Sequence, residues 1–514
     1  MSTWGKGYVT DVEYSDGFYP NQAAAHLGVA ATISGVASPV LEDRFTYCEL
    51  GCGRGRTSLV LAASNPEAEF HAIDFNPAHV AHAREQARLA GLDNIQFHEC
   101  SFDELTGRRG EALPMFDVVT MHGVWTWVAP ALQTAIVAFL NAHLQAGGLL
   151  YVSYNVLPTW YQASPLQRLV KELAAAVPQR SDLAVSRAIE QLDRFVAAKI
   201  VPDRFMYAAK RFKEVGHMLP YLAHEYLNEH WQPAYFADVA RSLAAAKLNY
   251  AACAELLKNF YNLALTEEQR AAIAEIASPE LRETLKDFCT DNWFRQDVFV
   301  RGARRLSVQR RDQLLSSKTL TLLRQVPDVF EVAKPDGSRW RPDPVVYGAI
   351  LNALKERPRT VGELLRLEGL PSGHLVAPVE LVGTLIGTGL AGLAHAASPA
   401  ELARAERLNA LYDSDFDADV ALAHGAAIAV PAARSGISLN SASYALYRSL
   451  KRGESLAADV LAAQFIQRCR DRGAHPIIDE KVIEDPAEAQ TALTRDYEFK
   501  IEKLVPVWRM LGVV

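Results

Sequence analysis

Long runs of lysine or arginine, paired cysteines and an uninterrupted apolar stretch are all lacking in this 514-residue chain. With a formal net charge of -7 at pH 7 and no basic stripe, the chain offers a phosphate backbone no overall attraction, so we expect no nucleic-acid partner. The six cysteines form no C-x-x-C pair and no zinc spacing. This pattern argues against a cysteine-based metal site and favours reduced thiols in a cytoplasmic protein.

We also expect neither a secretion signal nor a membrane span. Residues 1–6 contain no apolar core of a signal peptide. The long apolar stretch at residues 375–397 is interrupted by Pro378, Glu380 and four glycines, so we predict packed helices there and no stable membrane insertion. The content of 49% hydrophobic and 22% charged residues is ordinary for a globular chain, and the length suggests about three domains.

The most informative segment is residues 47–55, which read as a strand end that turns through a glycine loop into a helix at 57–63. An acid followed by G-x-G-x-G is supplied by Glu49, Gly51, Gly53 and Gly55. Glycines allow a sharp turn and a close approach of the backbone to a ligand, and the helix start presents free N–H groups. Because position 56 is arginine, the spacing departs from the dinucleotide fingerprint G-x-G-x-x-G.

Further strands follow, separated by helical patterns. They are predicted at residues 69–73, 94–99, 116–121 and 149–153. Asp74 comes nineteen residues after Gly55, about where Rossmann-like folds place an acid on the ribose hydroxyls. His122 follows the third of these strands, and Tyr154 follows the last. This order predicts an α/β fold with a doubly wound, mainly parallel sheet and a ligand at the carboxyl ends of the strands.

The glycine loop resembles motif I of the class I S-adenosylmethionine-dependent methyltransferases. Residues 121–128 and 152–160 are the most specific motifs of a wider resemblance to a bacterial subgroup of these enzymes. A segment at 291–297 and an aromatic-rich helical stretch before it resemble the methyltransferase regulatory domain of one bacterial subgroup. That subgroup includes lysine methyltransferases that act on outer-membrane proteins. The resemblance extends from Tyr14 to about Gly302, and it implies S-adenosylmethionine as the cofactor.

The resemblance also implies roles for individual residues around the cofactor. Phe75 would form one wall of the adenine slot, and the adenine ring would lie near Ser101 and Phe102. Residues 14–21, which include Tyr19, could fold over the cofactor as a lid. The predicted cofactor-binding set is Glu49, Gly51, Gly53, Gly55, Asp74, Phe75, Ser101, Phe102, His122 and Tyr19.

The predicted chemistry depends on aromatic residues at the strand ends. A lysine ammonium has no lone pair, so a lysine-modifying pocket must favour the neutral amine, and burial among aromatic rings does so. Tyr154 is predicted to contact the nucleophile through its phenol oxygen, with Trp125 and Trp127 nearby. For His122 three roles are open: a contact to the cofactor's methionine part, a base, or a structural histidine.

Three domains and three functions follow from these patterns. Residues 1–165 are predicted to bind the cofactor, 166–304 to form a helical regulatory domain, and 305–514 to form a winged-helix-like and helical region. We expect a protein substrate, and the chain could form a homodimer. The favoured function is protein-lysine N-methylation. The alternatives are methylation of a small molecule or glycan, and a non-catalytic cofactor-binding regulator.

Overall fold

A seven-stranded sheet forms the centre of the amino-terminal part of the protein. In the computed structural model the described residues are 3–13, 17–39, 44–206, 208–210, 219–334, 337–418, 426–478 and 481–514. The strand order is β3-β2-β1-β4-β5-β7-β6. In chain order the strands are β1 Thr46–Leu50, β2 Glu69–Asp74, β3 Ile95–Glu99, β4 Phe116–Met121, β5 Leu144–Asn155, β6 Leu248–Cys253 and β7 Phe294–Arg301.

The first five strands confirm the predicted doubly wound arrangement. They are mutually parallel. In the central strands β1, β2 and β4 the side chains are buried on both faces, because helices cover both faces of the sheet, whereas in the edge strand β3 buried and exposed side chains alternate. The helices of this part are α1 Ala24–Ile33, α2 Arg56–Ser64, α3 Pro77–Ala90, α4 Arg108–Glu111 and α5 Pro130–His143. The glycine loop lies between β1 and α2, at the carboxyl end of a central strand.

The last two strands of the sheet correct the sequence prediction. Residues 166–300 were expected to be almost entirely helical, yet β6 and β7 lie in this range and pair antiparallel with the edge of the parallel sheet. Pairing with β7 runs from Leu149 opposite Val300 to Asn155 opposite Phe294, so β5 continues two residues beyond its predicted end at Ser153. Tyr154 therefore lies within the sheet and does not follow it.

The rest of the middle region is helical. Its helices lie against one another, and the Phe236–Ala244 helix packs on β6. They are Ser164–Ala175, Ser181–Ala197, Leu219–Tyr226, Phe236–Ala244, Tyr261–Ala264, Glu267–Ala274 and Pro279–Cys289.

The carboxyl-terminal region contains the short helix, second helix and strand predicted between residues 359 and 396. They are observed at Val361–Leu364, Pro378–Gly387 and Ala391–Leu393. The identification of this unit as a winged helix stays a prediction. The other helices are Val308–Ser316, Pro344–Glu356, Pro399–Ala418, Ser441–Lys451, Ala458–Asp471, Pro486–Lys503 and Val505–Met510. Short strands lie at Thr319–Leu322, Val332–Ala333, Arg339–Trp340, Arg359–Thr360, Ala426–Val430, Ser435–Leu439, Ile477–Ile478 and Lys481–Val482.

The apolar stretch at 375–397 divides into one ten-residue helix and one short strand, where packed helices were expected. Across the described ranges, no helix combines the length and the apolar character needed to cross a membrane. The carboxyl-terminal region packs on the outer side of α2 and α3, and one hydrophobic core continues from those helices into it.

Candidate functional site

A cavity opens at the carboxyl ends of β1 to β4, where the loops that follow these parallel strands lie. Its volume, open mouth included, is about 1220 Å³, which is ample for a nucleoside with an amino-acid arm. Of the residues predicted to bind the cofactor, nine line this cavity: Glu49, Gly51, Gly53, Asp74, Phe75, Ser101, Phe102, His122 and Tyr19.

The glycine loop has a backbone that requires glycine at each of its three positions. Gly51, Gly53 and Gly55 all have positive φ, at 73°, 54° and 81°. A Cβ on Gly53 would meet nothing within 4 Å and would project into open space. Gly55 does not line the cavity, because a Cβ there would lie 2.7 Å from the ring of Phe97. Its role is the close packing of α2 against β3, which corrects its predicted cofactor contact.

Asp74 holds the loop in place from the neighbouring strand. One carboxylate oxygen accepts a hydrogen bond from the N–H of Gly53 at 2.8 Å, and the other accepts from the N–H of Asn76 at 2.9 Å. Asp74 is buried but lines the cavity. Because each carboxylate oxygen has a second lone pair, Asp74 can still accept hydrogen bonds from ligand hydroxyls.

Glu49 lies beneath the loop and is almost fully buried. Its carboxyl group accepts a hydrogen bond from the hydroxyl of Ser58 in α2. Burial raises the pKa of Glu49 to about 7, since removal from water disfavours the charged form, and nearby Asp74 adds to the increase. Glu49 therefore ties the end of β1 to the start of α2.

One end of the cavity is formed by aromatic residues suited to a flat ring. Phe75, Ser101 and Phe102 line it, as predicted, and the amino-terminal residues Lys6 and Tyr8 join them. Lys6 Nζ donates hydrogen bonds to Ser101 Oγ at 3.0 Å and to Asp103 at 2.7 Å. The contribution of residues 5–8 was not recognised in the sequence, because nothing local indicates that a chain terminus folds back onto β3.

The other end of the cavity is built around His122. The ring of Tyr19 stacks on the His122 ring with 3.7 Å between centroids. His122 Nδ1 lies 2.8 Å from the hydroxyl of Tyr151, and that hydroxyl donates to Gln296 Oε1 at 3.0 Å. The Tyr151 hydroxyl has one proton and donates it to Gln296, so it must accept a hydrogen bond from His122. We therefore assign the imidazole proton to His122 Nδ1, which leaves Nε2 as an acceptor.

Burial lowers the pKa of His122 to about 3. The imidazole is therefore neutral at physiological pH. It can accept a hydrogen bond, but it is too weak a base to take a proton from the substrate. This favours a positioning role for His122 over the role of general base.

Two more aromatic rings complete this end. Phe294 at the start of β7 meets the His122 ring edge-on at 5.5 Å and lies 6.5 Å from the ring of Trp127. Trp127 lines the cavity, as predicted. Sequence reasoning missed Phe294, Tyr151 and Gln296 as neighbours of His122, because pairing between β5 and β7 joins segments far apart in the chain.

Two predicted catalytic residues lie elsewhere. Tyr154 is fully buried in the sheet, and its hydroxyl donates to Asp297 Oδ2 at 2.5 Å. Burial beside Asp297 raises the pKa of this phenol well above its usual range, so it remains a protonated donor. Trp125 is buried in the core below the cavity, next to β4 and α5. The predictions that Tyr154 contacts the nucleophile and that Trp125 lines the mouth are therefore corrected.

The predicted lid is partly outside the described residues. Residues 14–16 belong to that undescribed part, whereas Gly17 and Tyr19 line the cavity. Tyr19 N–H donates to Thr57 Oγ1 at 3.2 Å, which connects this segment to the start of α2. No group of three or more His, Cys, Asp or Glu residues suited to a metal ion occurs among the described residues, and all six cysteines are free.

These features fit S-adenosylmethionine. The aromatic end suits adenine, Asp74 suits the ribose hydroxyls, and the open space beside Gly53 allows the ligand to cross the loop. Gly123, which follows His122, also has positive φ and open space where a Cβ would stand. A side chain at either glycine would fill the space that the ligand needs.

Comparisons with known proteins agree with this geometry. Residues 41–208 match the family model described as "Methyltransferase domain", and residues 219–301 match the one described as "Predicted methyltransferase regulatory domain". The protein sll1526 of Synechocystis sp. is 34% identical over 370 residues, which are 70% of this chain and 71% of the relative. RP789 of Rickettsia prowazekii is 27% identical over 304 residues, or 57% of this chain and 53% of the relative.

The fold is also similar to solved structures over almost the whole chain. The structure of PKMT2 from Rickettsia typhi in complex with AdoHcy gives a TM-score of 0.63 at 17% identity and covers 97% of this chain and 99% of that one. A second structure of PKMT2 gives a TM-score of 0.65 at 16% identity and covers 96% and 99%. The likeness therefore includes the regions that follow the methyltransferase domain.

Proposed function

This chain belongs to the class I S-adenosylmethionine-dependent methyltransferases that have a methyltransferase regulatory domain, and from that premise we propose that it N-methylates lysine side chains of a protein substrate. The observation that carries the proposal is the neutral His122 at the end of the cavity, which contacts the rings of Tyr19 and Phe294, with the ring of Trp127 next to Phe294.

An uncharged aromatic end suits an amine nucleophile. The cofactor supplies the methyl group on a cationic sulfonium, so a second positive charge beside it would be repelled. Rings that exclude water lower the pKa of a lysine amine and thereby increase the fraction that has a lone pair. The same rings attract the methylated ammonium through cation–π contacts, so the product is tolerated until it leaves.

His122 would orient the amine without taking its proton. With Nδ1–H donated to Tyr151, the lone pair on Nε2 can accept an N–H of the neutral amine and direct the nitrogen lone pair toward the methyl group. The amine nitrogen forms a bond to the methyl carbon as the carbon–sulfur bond breaks, and the methylated nitrogen then carries the positive charge. The proton lost overall is the one that the lysine ammonium gives to water before transfer, and the product leaves as an ammonium.

The size of the additional regions supports a protein substrate over a small molecule. Everything beyond residue 165 lies outside the part that carries the glycine loop, yet it makes up most of the chain. The full-length likeness in fold to PKMT2, whose name denotes protein lysine methylation, supports the same choice.

The proposal is tested by incubating the enzyme and labelled S-adenosylmethionine with three separated fractions: envelope proteins, cytosolic proteins and metabolites. We expect label in a protein fraction. Complete acetylation of lysines in that fraction removes the nucleophilic lone pair and leaves hydroxyls largely available, so labelling should then disappear. Label that persists after acetylation, or that enters the metabolites alone, would instead favour a hydroxyl or small-molecule acceptor.

The pH dependence provides a second test. If a lysine amine must lose its proton and chemistry limits the rate, activity rises from neutral pH and levels off in the alkaline range, below the usual lysine pKa of about 10.4. His122 with a pKa of about 3 adds no inflection near pH 6.5. A rate that is flat between pH 7 and 9 under single-turnover conditions would contradict the requirement for deprotonation.

A further inference from the structure

An amino-terminal strap, residues 4–12, connects the adenine end of the cavity to the regulatory domain. The side chains of the strap contact the methyltransferase domain. The ring of Trp4 lies 5.7 Å from the ring of Phe75, and the ring of Tyr8 meets Phe75 edge-on at 5.9 Å. Together with Lys6, which lines the cavity, these two rings cover the adenine end.

The backbone of the strap, in contrast, is bound by the regulatory domain, residues 219–301. The N–H of Glu229 donates to the carbonyl of Gly7 at 2.8 Å. The N–H of Val9 donates to Asn228 Oδ1 at 2.9 Å, and this hydrogen bond is buried. Gly7 has a φ of 84°, and a Cβ there would lie 2.8 Å from Glu229 Cβ, so the contact requires glycine. The regulatory domain therefore sets the position of the strap.

Two more hydrogen bonds hold the last residues of the strap on the same side. His224 Nε2 donates to the carbonyl of Val12 at 2.8 Å. The hydroxyl of Ser181, at the start of a middle-region helix, donates to Asp11 at 2.7 Å. The ring of His224 also lies 5.4 Å from the ring of Tyr8. Tyr8 thus contacts both domains beside the cavity.

The regulatory domain reaches the other end of the cavity in the same indirect way. Gln296 in β7 accepts a hydrogen bond from Asn21 Nδ2 at 3.0 Å, two residues after Tyr19, the ring that stacks on His122. All of residues 219–301 are described, and none of them lines the cavity. The regulatory domain therefore acts on the cavity through the amino-terminal segments that it holds.

We propose that the regulatory domain controls retention of the cofactor through the strap, and that Asn228 is the positioning residue that keeps the strap over the adenine end. A strap that is already held needs no ordering when the ligand binds, whereas a loose strap costs conformational entropy. The held strap then slows the departure of S-adenosylmethionine before methyl transfer and of S-adenosylhomocysteine after it. This inference is independent of the identity of the methyl acceptor.

The first test measures ligand dissociation by displacement in stopped flow. Asn228→Ala removes the acceptor of the Val9 N–H, so the dissociation rate constant of S-adenosylhomocysteine should rise about five- to tenfold. The ligand 5′-methylthioadenosine has the same nucleoside and no amino-acid arm. It should show the same increase, because the strap covers the adenine end. Unchanged rates, or an increase confined to S-adenosylhomocysteine, would overturn the proposal.

Asn259→Ala is the matched control. Asn259 Oδ1 also accepts a backbone N–H at 2.8 Å, but the donor is Cys253, within the regulatory domain itself. This variant should lower the melting temperature and leave both dissociation rates unchanged. Dissociation as fast as in Asn228→Ala would show that general loosening of the domain explains the effect, and the role of Asn228 would be lost.

A double variant tests whether Asn228 acts through the strap. Tyr8→Ala removes the ring beside the cavity and should itself speed dissociation. In Tyr8→Ala/Asn228→Ala the loss of Asn228 should add less than about twofold, since its effect passes through the strap. Full multiplication of the two single effects would show that Asn228 acts by another route.

Two measurements keep the proposal testable if Asn228→Ala does not fold. Gly7→Ala moves the strap away from Glu229 and should also speed dissociation, and unchanged rates in that variant would contradict the proposal. In the wild type, S-adenosylhomocysteine should slow hydrogen exchange at residues 4–12 and also at residues 224–230, which do not line the cavity. Slower exchange at neither segment, or at the strap alone, would overturn the coupling between the domains.

Discussion

At the scale of single residues, Asp74 combines a structural and a ligand-binding task in one carboxylate. Asp74→Ala should weaken S-adenosylmethionine binding by roughly 1–3 kcal/mol, because the N–H of Gly53 and the ribose hydroxyls would both lose an acceptor. Calorimetry measures this change. Glu85→Ala, which removes an acid of an exposed pair with Arg88 on α3, should leave the affinity unchanged. An unaltered affinity in folded Asp74→Ala would place the ribose elsewhere.

His122 allows positioning to be separated from cofactor capture. His122→Phe keeps an aromatic ring against Tyr19 and removes both nitrogens, so kcat should fall at least about tenfold while S-adenosylmethionine affinity changes less than about threefold. Single-turnover rates and calorimetry check the two quantities separately. Parallel losses of affinity and rate would show that His122 contacts the cofactor and not the amine.

At the scale of elements, β5 decides which tyrosine faces the site. Tyr151 and Tyr154 are an odd number of residues apart, so their side chains point to opposite faces of the sheet. Tyr151 reaches His122 and Gln296, whereas Tyr154 points into the other core and contacts Asp297. The two tyrosines therefore form a natural pair for substitution.

Tyr154→Phe should lower the free energy of unfolding by about 1–3 kcal/mol and leave methyl transfer by the folded protein unchanged, since Asp297 loses a buried donor. Tyr151→Phe should slow methyl transfer, because His122 Nδ1–H loses its acceptor and the ring loses its fixed orientation. Urea unfolding and single-turnover rates measure both variants. Slower methyl transfer by Tyr154→Phe, measured at saturating cofactor and substrate, would show that Tyr154 takes part in the reaction.

At the scale of the whole molecule, buried histidines make the fold sensitive to acid. Burial lowers the pKa of His122 to about 3 and that of His224 to about 4, below the usual 6.5. As pH falls below 6.5, the unfolded chain binds protons that the native state does not accept. Stability should therefore decrease, by up to about 1.4 kcal/mol per pH unit for each of these histidines.

Glu49 has the opposite effect on stability over the same pH range. Its pKa of about 7 lies above the usual 4.5, so between these values the native state holds a proton that the unfolded chain has lost. The two histidines together change the free energy of unfolding more than Glu49 does. Urea unfolding should therefore show lower stability at pH 5 than at pH 7. His224→Gln should reduce that difference. Equal stability at both pH values would mean that the histidines are protonated in the native state.

The sequence alone determined the cofactor half of the protein. The glycine loop, Asp74 and the strands at β1 to β4 were predictable because each signal is local: a strand is a short apolar run, and a loop that approaches a ligand needs glycine. The resemblance of two motifs then indicated the methyltransferase family before any contact was known. The aromatic lining of the cavity was likewise predictable from Trp127 and Tyr19.

The tertiary structure alone decided which residues surround His122 at the end of the cavity. Pairing of β5 with β7 extends β5 through Asn155, buries Tyr154, and brings Phe294 and Gln296 to His122 from far along the chain. Strand pairing at such separation depends on the packing of the whole sheet and leaves no local pattern in the sequence. For the same reason, the contacts of the amino-terminal strap with Asn228 and Glu229 became visible only when the regulatory domain was seen folded against it.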